Sequence, residues 1–180
     1  MSLSDIMKTA IEPALALLPA RMDTPAARIE LLGIGLQESR FLDRRQLVGN
    51  PPRPVGPAKS FWQGELGGGM IRGVRLHAAT RAAAAELYRA RGVAANDVAI
   101  WDAIEFDDVL AAGLARLLLW SDPRRLPAVG DEEGSWALYL RTWRPGAYDR
   151  GTPRQRNALR AKWASNYGAA MREVCHAGMA

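Results

Sequence analysis

Leu31-Leu32-Gly33-Ile34-Gly35-Leu36-Gln37-Glu38-Ser39-Arg40 reads as the last turns of an apolar helix that finishes on a carboxylate. Leu31, Ile34 and Glu38 recur at helical spacing, so Glu38 prolongs a stripe that faces the core. A lone carboxylate taken out of water shifts its pKa upward rather than carry a bare charge. An acid kept protonated near neutral pH has a proton to give to a leaving group. Gly35 removes a side chain about one turn earlier and reads as room for a ligand. The plain structural reading is a helix-end glutamate, solvated or paired with Arg40 or Arg44. Upstream, Thr24-Pro25 supplies an N-cap and a first-turn proline, so this helix is predicted to run from there to Ser39.

Downstream comes Gly56-Pro57-Ala58-Lys59-Ser60-Phe61-Trp62-Gln63-Gly64-Glu65, then Gly67-Gly68-Gly69. Together with Glu38-Ser39, this segment resembles the lysozyme-like superfamily of goose-type lysozymes and soluble lytic transglycosylases. In that family the catalytic Glu sits in a helix-terminal Glu-Ser step, and a Gly-x-x-Gln segment follows some twenty-odd residues on. Glu38-Ser39 matches the first element, and Phe61-Trp62-Gln63 resembles the second with Gln63 at the family's Gln position. The wording around Leu118-Leu119-Trp120-Ser121-Asp122-Pro123 and Trp136-Ala137-Leu138-Tyr139-Leu140-Arg141 looks like phage or prophage lysozyme-like proteins. The resemblance covers residues 24–148. The family's third element, a Tyr-Asn-x-Gly type segment, is not recognisable; Tyr139 and Trp143-Arg144-Pro145-Gly146 occupy roughly its place.

The resemblance implies cleavage of peptidoglycan glycan strands between N-acetylmuramic acid and N-acetylglucosamine, with no cofactor and no metal. Glu38 is then the general acid. A hydrolase adds a second carboxylate as nucleophile or to activate water, whereas a lytic transglycosylase lets the sugar's own hydroxyl attack and needs none. Glu65 is the first candidate for that second group, followed by Asp43 and then Asp107 or Asp108. Ser39, Phe61, Trp62, Gln63 and Tyr139 are the candidate substrate-binding residues. Gln63 reads as a partner of sugar or of Glu38, or as an ordinary loop amide. Phe61 and Trp62 read as an apolar floor for a sugar face, or as the core anchor of their loop. Tyr139 reads as a partner of Glu38 or of an N-acetyl group, or as a core tyrosine. The glycine triplet reads as a close approach of backbone to sugar or as a flexible turn. The contrasting expectation is a lysozyme-like module that has lost activity and serves as structure in a phage tail or baseplate.

The rest of the chain reads as one domain over residues 1–180, all-α, with a small irregular or β insert after the catalytic helix. Ser4 is read as the cap of a first helix to about Leu18, with Pro13 kinking it or dividing it. Residues 40–75 carry Pro51, Pro52, Pro54 and Pro57 and lose the apolar period; short strands are expected at Ser60–Gln63 and Met70–Val74. Helices follow over Thr80–Arg91, from Asn96 or Asp97 through Ile104, and over Val109–Trp120, which is apolar nearly all round and so central. Two more start at Asp131-Glu132-Glu133 and at Thr152-Pro153, the last running toward Val174. Trp101, Trp120, Trp136, Trp143 and Trp163 sit at helical spacing and read mostly as core.

Charge and composition narrow the partners. A chain 48% hydrophobic and 24% charged has an ordinary globular balance, which argues against general disorder. Net charge is +5, carried almost entirely by arginine, with only Lys8, Lys59 and Lys162 as lysines; this suits an anionic polymer, and equally reflects a bias toward Arg and Ala. Arg44-Arg45 and Arg124-Arg125 read as solvated charge or as contacts to anionic peptide stems. With no basic recognition helix and no zinc motif, nucleic acid is not an expected partner. The expected partners are glycan strands and other phage tail or lysis proteins. Two histidines, His77 and His176, make a His-based metal site unlikely on count, and Cys175 beside His176 makes a poor nucleophilic pair near the C-terminus. Residues 1–20 lack a basic start and carry Asp5, Glu12 and Pro13, so no secretory signal is read, and no segment is long and apolar enough to span a bilayer. The protein is expected to be made in the cytoplasm and to reach the wall through a holin-type pore or as part of a virion.

Overall fold

The computed structural model describes residues 1–177 and is mostly helical with a small antiparallel sheet. The first helical run is α1 (Leu3–Ile6), a π-helical turn (Met7–Ile11) and α2 (Glu12–Ala16). Its cap is Ser2 rather than Ser4: Ser2 and Asp5 exchange side-chain and backbone hydrogen bonds in a capping box. Pro13 does not divide the run. It lacks an N–H, and the wider π turn immediately before it absorbs the missing bond.

The helix that carries Glu38 is α3 (Pro25–Glu38), started as its sequence predicts, with Thr24 Oγ1 accepting from the Ala27 N–H at 3.1 Å and Pro25 in the first turn. Eight of its inner positions between Ala27 and Gly35 are buried, because α10 (Pro153–Ala177) lies along it and α7 (Asp108–Ser121) packs beneath. Every residue from Leu110 to Leu119 in α7 is buried, so the predicted central helix is central. Arg116 is among them. Its guanidinium donates to the Met22 carbonyl at 2.8 Å and lies over the Trp120 ring, and burial pushes it down to about 10.

The insert is a sheet of order β1-β2-β3, formed by β1 (Arg45–Val48), β2 (Arg53–Lys59) and β3 (Gly64–Glu65). It begins earlier than expected. Ser60–Gln63 is the turn between β2 and β3, and Met70–Val74 lies in a π-helical turn (Gly69–Gly73) running into α4 (Val74–Leu76). The prolines that argued against strands here are tolerated because β3 pairs only with Ala58 and Lys59. Pro54 and Pro57 therefore sit where β2 has no third strand beside it, and a register irregularity between Arg45 and Leu47 takes up the misfit.

The remaining elements are α5 (Arg81–Ala90), α6 (Asp97–Ala103), α8 (Glu132–Trp143) and a short α9 (Gly146–Asp149). Asn96 caps α6 and Asp131 caps α8. Glu132 and Glu133 in the first turn of α8 both pair with Arg160 of α10, which ties the two helices at one end. Thr152 and Gln155 form a second reciprocal cap at the start of α10. Among the described residues no helix is long and apolar enough to cross a membrane.

Candidate active site

Glu38 lies at the floor of a groove of about 800 Å³, built where the end of α3 meets the sheet, the end of α8 and the side of α10. The tyrosine singled out from α8 reaches it: Tyr139 Oη donates to Glu38 Oε1 at 2.6 Å. Tyr139 is itself buried, stacked on Trp163 with ring centroids 4.8 Å apart and on Trp136 at 5.5 Å, so its hydroxyl has little freedom to swing away. Part of Glu38 faces the groove while protein surrounds the rest. Burial raises its carboxyl above the usual range; the Tyr139 hydroxyl and the Lys162 ammonium pull back the other way, and Glu65 adds to the rise. The same burial and the neighbouring carboxylate push the Tyr139 phenol far up, so it remains a hydrogen-bond donor. Neither Arg40 nor Arg44 pairs with Glu38; Arg44 instead clamps Asp108 through two hydrogen bonds.

Ser39 lines the groove, but its hydroxyl has structural work. Oγ donates to the Phe61 carbonyl at 2.8 Å and accepts from the Phe41 N–H at 3.1 Å, which stitches the end of α3 to the β2–β3 turn. Phe61 and Trp62 do not form a floor for sugar. Both are 0% exposed. Trp62 Nε1 donates to the Leu31 carbonyl, and the two rings meet Phe41 edge-on in one aromatic cluster. They anchor the turn, so that Gln63, the next residue, is delivered to the groove wall. Gln63 Nε2 donates to the Ser60 carbonyl at 2.8 Å, not to Glu38, and the residue lines the groove. Gly35 makes no space for a ligand either: Phe41 fills it, its ring atoms only 2.2 Å from where a Cβ would stand.

Glu65 and Asp43 both line the groove with Glu38; Glu65 is exposed and close enough to be felt by it. Asp107 and Asp108 do not. Asp107 caps α7 and pairs with Arg91, and Asp108 holds Arg44. Gly68 and Gly69 line the groove beside Met70. Trp143 stands at its edge with Nε1 donating to the Trp62 carbonyl. Of the other tryptophans, Trp136 and Trp163 are buried as expected, while Trp101 and Trp120 are only half-buried under the cations of Lys59 and Arg116.

Sequence reasoning missed the cationic side of the groove. Arg40, Arg144, Arg150 and Lys162 line it, and none of the four has a carboxylate within salt-bridge reach among the described residues. Lys162 hydrogen-bonds the Gln37 carbonyl beside Glu38; burial and the nearby Arg40 push its pKa down. One signal was available, since Lys162 is one of three lysines in an arginine-rich chain. The backbone points to the same place. Among the described residues, the five non-glycine residues with left-handed φ, namely Arg40, Phe41, Ser60, Gln63 and Arg144, stand at the end of α3, in the β2–β3 turn or at the end of α8. Such conformations cost of order 1 kcal/mol each and concentrate where function fixes side chains.

His77 is exposed with Nδ1 accepting from the Ala79 N–H, and Cys175 is exposed near the end of α10; neither lines the groove. No cluster of three metal-ligating side chains is found among the described residues. No protein-family model, curated protein or solved structure matches this chain.

Proposed function

We propose that this groove cleaves the glycan strands of peptidoglycan, with Glu38 as the general acid. The observation that carries the reading is the Glu38–Tyr139 pair: a carboxyl with a raised pKa, open on one side to a strand-sized groove and held on the other by a phenol locked in an aromatic stack. Glu38 in its acid form gives its proton to the glycosidic oxygen as positive charge develops on the sugar. The carboxylate that remains keeps the Tyr139 hydrogen bond and gains from the Lys162 charge, so the state after transfer is stabilised more than the state before it.

Glu65 is the second carboxylate we assign, because it lines the same groove and is exposed, within reach of water or of the sugar. That favours hydrolysis over the internal attack that leaves an anhydro sugar. The unpaired cations Arg40, Arg144, Arg150 and Lys162 suit a strand whose peptide branches end in carboxylates. A lysozyme-like fold and a phage or prophage source belong to this same reading and rest on the sequence resemblance alone.

Purified sacculi incubated with the protein, and the soluble products weighed, test it. Muropeptides with reducing ends are expected. Anhydro ends would keep the site but remove the role of Glu65. Binding to sacculi with no soluble product across the pH range would leave a structural wall-binding module instead.

A further inference from the structure

A second carboxyl on α3 is buried more deeply than Glu38, and the chemistry above does not use it. Glu30 is 2% exposed, sits two turns before Glu38 and faces α8 and α10. Its nearest polar neighbour is Ser135 of α8, yet neither Glu30 Oε2 nor Ser135 Oγ completes a hydrogen bond with protein. Trp163 Nε1 on α10 has no protein partner either. Three buried polar atoms from three helices are thus left without a protein partner in one seam, half of the six such atoms among the described residues.

The seam they occupy leads directly to the site. Ser135 and Tyr139 are four residues apart on one face of α8. Trp163 stacks on Tyr139 and lies 5.8 Å from Trp136. The helices that enclose Glu30 are therefore the ones that aim the Tyr139 hydroxyl at Glu38. We propose that Glu30 is a positioning residue: in its neutral form it keeps α8 closed against α3 with Tyr139 on Glu38, and its ionisation opens that seam and loosens the Tyr139–Glu38 bond.

The charges around Glu30 leave its anion poorly supported. From α8 it meets the Ser135 hydroxyl, which favours the anion, and Asp131, which opposes it. From α10 it meets Tyr167, whose hydroxyl accepts from the Gly130 N–H, with Glu132 beyond it already paired to Arg160. The nearest cation on α10 toward the groove, Lys162, serves Gln37 and Glu38 instead. Burial dominates and raises the Glu30 carboxyl to about 7. A single hydroxyl does not solvate a buried carboxylate, so loss of the proton favours a shift of α8 that brings solvent to the group.

The effect on cleavage rests on the function proposed above, but the movement itself does not. Near-ultraviolet circular dichroism reads the Trp136–Tyr139–Trp163 stack without any substrate. The wild type is expected to show a transition with a midpoint near pH 7, absent in Glu30→Gln and moved to higher pH in Ser135→Ala, which removes the one group that favours the anion. The same transition in a folded Glu30→Gln, or an unmoved midpoint in Ser135→Ala, would overturn the proposal, as would a wild-type spectrum constant from pH 5 to pH 9. In wall digestion the alkaline limb of log kcat/KM should fall with a slope steeper than −1 in the wild type, because two protons are lost, and with a slope of −1 in Glu30→Gln. A slope of −1 in both would sever the link between Glu30 and the site. If neither protein digests the wall, the proposed activity fails while the dichroism result still decides the seam.

Discussion

At the residue scale, the Tyr139 hydroxyl is the group whose removal changes least and reveals most. Tyr139→Phe keeps the ring stack on Trp163 and Trp136 and deletes only the 2.6 Å hydrogen bond to Glu38. A hydrogen bond to a developing charge contributes about 1.5–3 kcal/mol, so kcat should fall about 10- to 100-fold. Because that hydroxyl draws the Glu38 pKa down, its loss should also move the alkaline limb of the pH–rate profile to higher pH. A profile that drops in height without moving would show that the bond does not tune the acid. Gly35→Ala tests the packing beneath: the new methyl would meet the buried Phe41 ring, and a loss of about 2 kcal/mol or more, read as a fall in Tm, is expected. Glu38 was picked out in the sequence because it prolongs an apolar stripe, and Tyr139 because it stands roughly in the place of the family's third element; that the two touch was not written in any local window. The placing of Phe61 and Trp62 was not legible either, since an aromatic pair in a loop reads the same whether it faces a ligand or the core.

At the scale of elements, α3 was legible because its start is written locally in Thr24-Pro25 and its end in the Glu38-Ser39 step. The sheet was not. Its strands carry prolines that only a narrow third strand makes tolerable, and the width of that strand is not written within β2. The association of α3 with α8 and α10 sets a pH dependence of stability. Glu30 titrates near 7 in the fold against 4.5 as the ordinary value, so between these the folded chain holds a proton that the unfolded chain has lost. Stability from this group is complete below pH 4.5, declines as pH rises, and has lost about 3 kcal/mol above pH 7. Chemical denaturation of the wild type should show that decline. In Glu30→Gln it should be largely absent, and the variant should be the more stable protein at pH 8.

For the whole molecule, the net charge of +5 suits an anionic partner without saying where one would sit. The four unpaired groove cations come from the end of α3, the end of α8, the end of α9 and the middle of α10, so no local window of sequence brings them together. They predict that binding to sacculi weakens several-fold between about 0.05 M and about 0.3 M salt, as the screening length falls to well under about 10 Å. Arg144→Ala combined with Arg150→Ala should remove much of that dependence in a sedimentation assay. Both residues are exposed, so the fold is expected to tolerate the change. The helical architecture was readable because amphipathic periods and caps are local; the groove was not, because its walls come from segments far apart in the chain.

The proposed cleavage depends on one proton donor, Glu38. Release of soluble fragments from purified sacculi, compared between the wild type and Glu38→Gln of unchanged Tm, tests it most directly. The account predicts release by the wild type and a loss of at least about 1,000-fold in the variant, in line with removal of a general acid whose place nothing else fills. Equal release by the two proteins would contradict it.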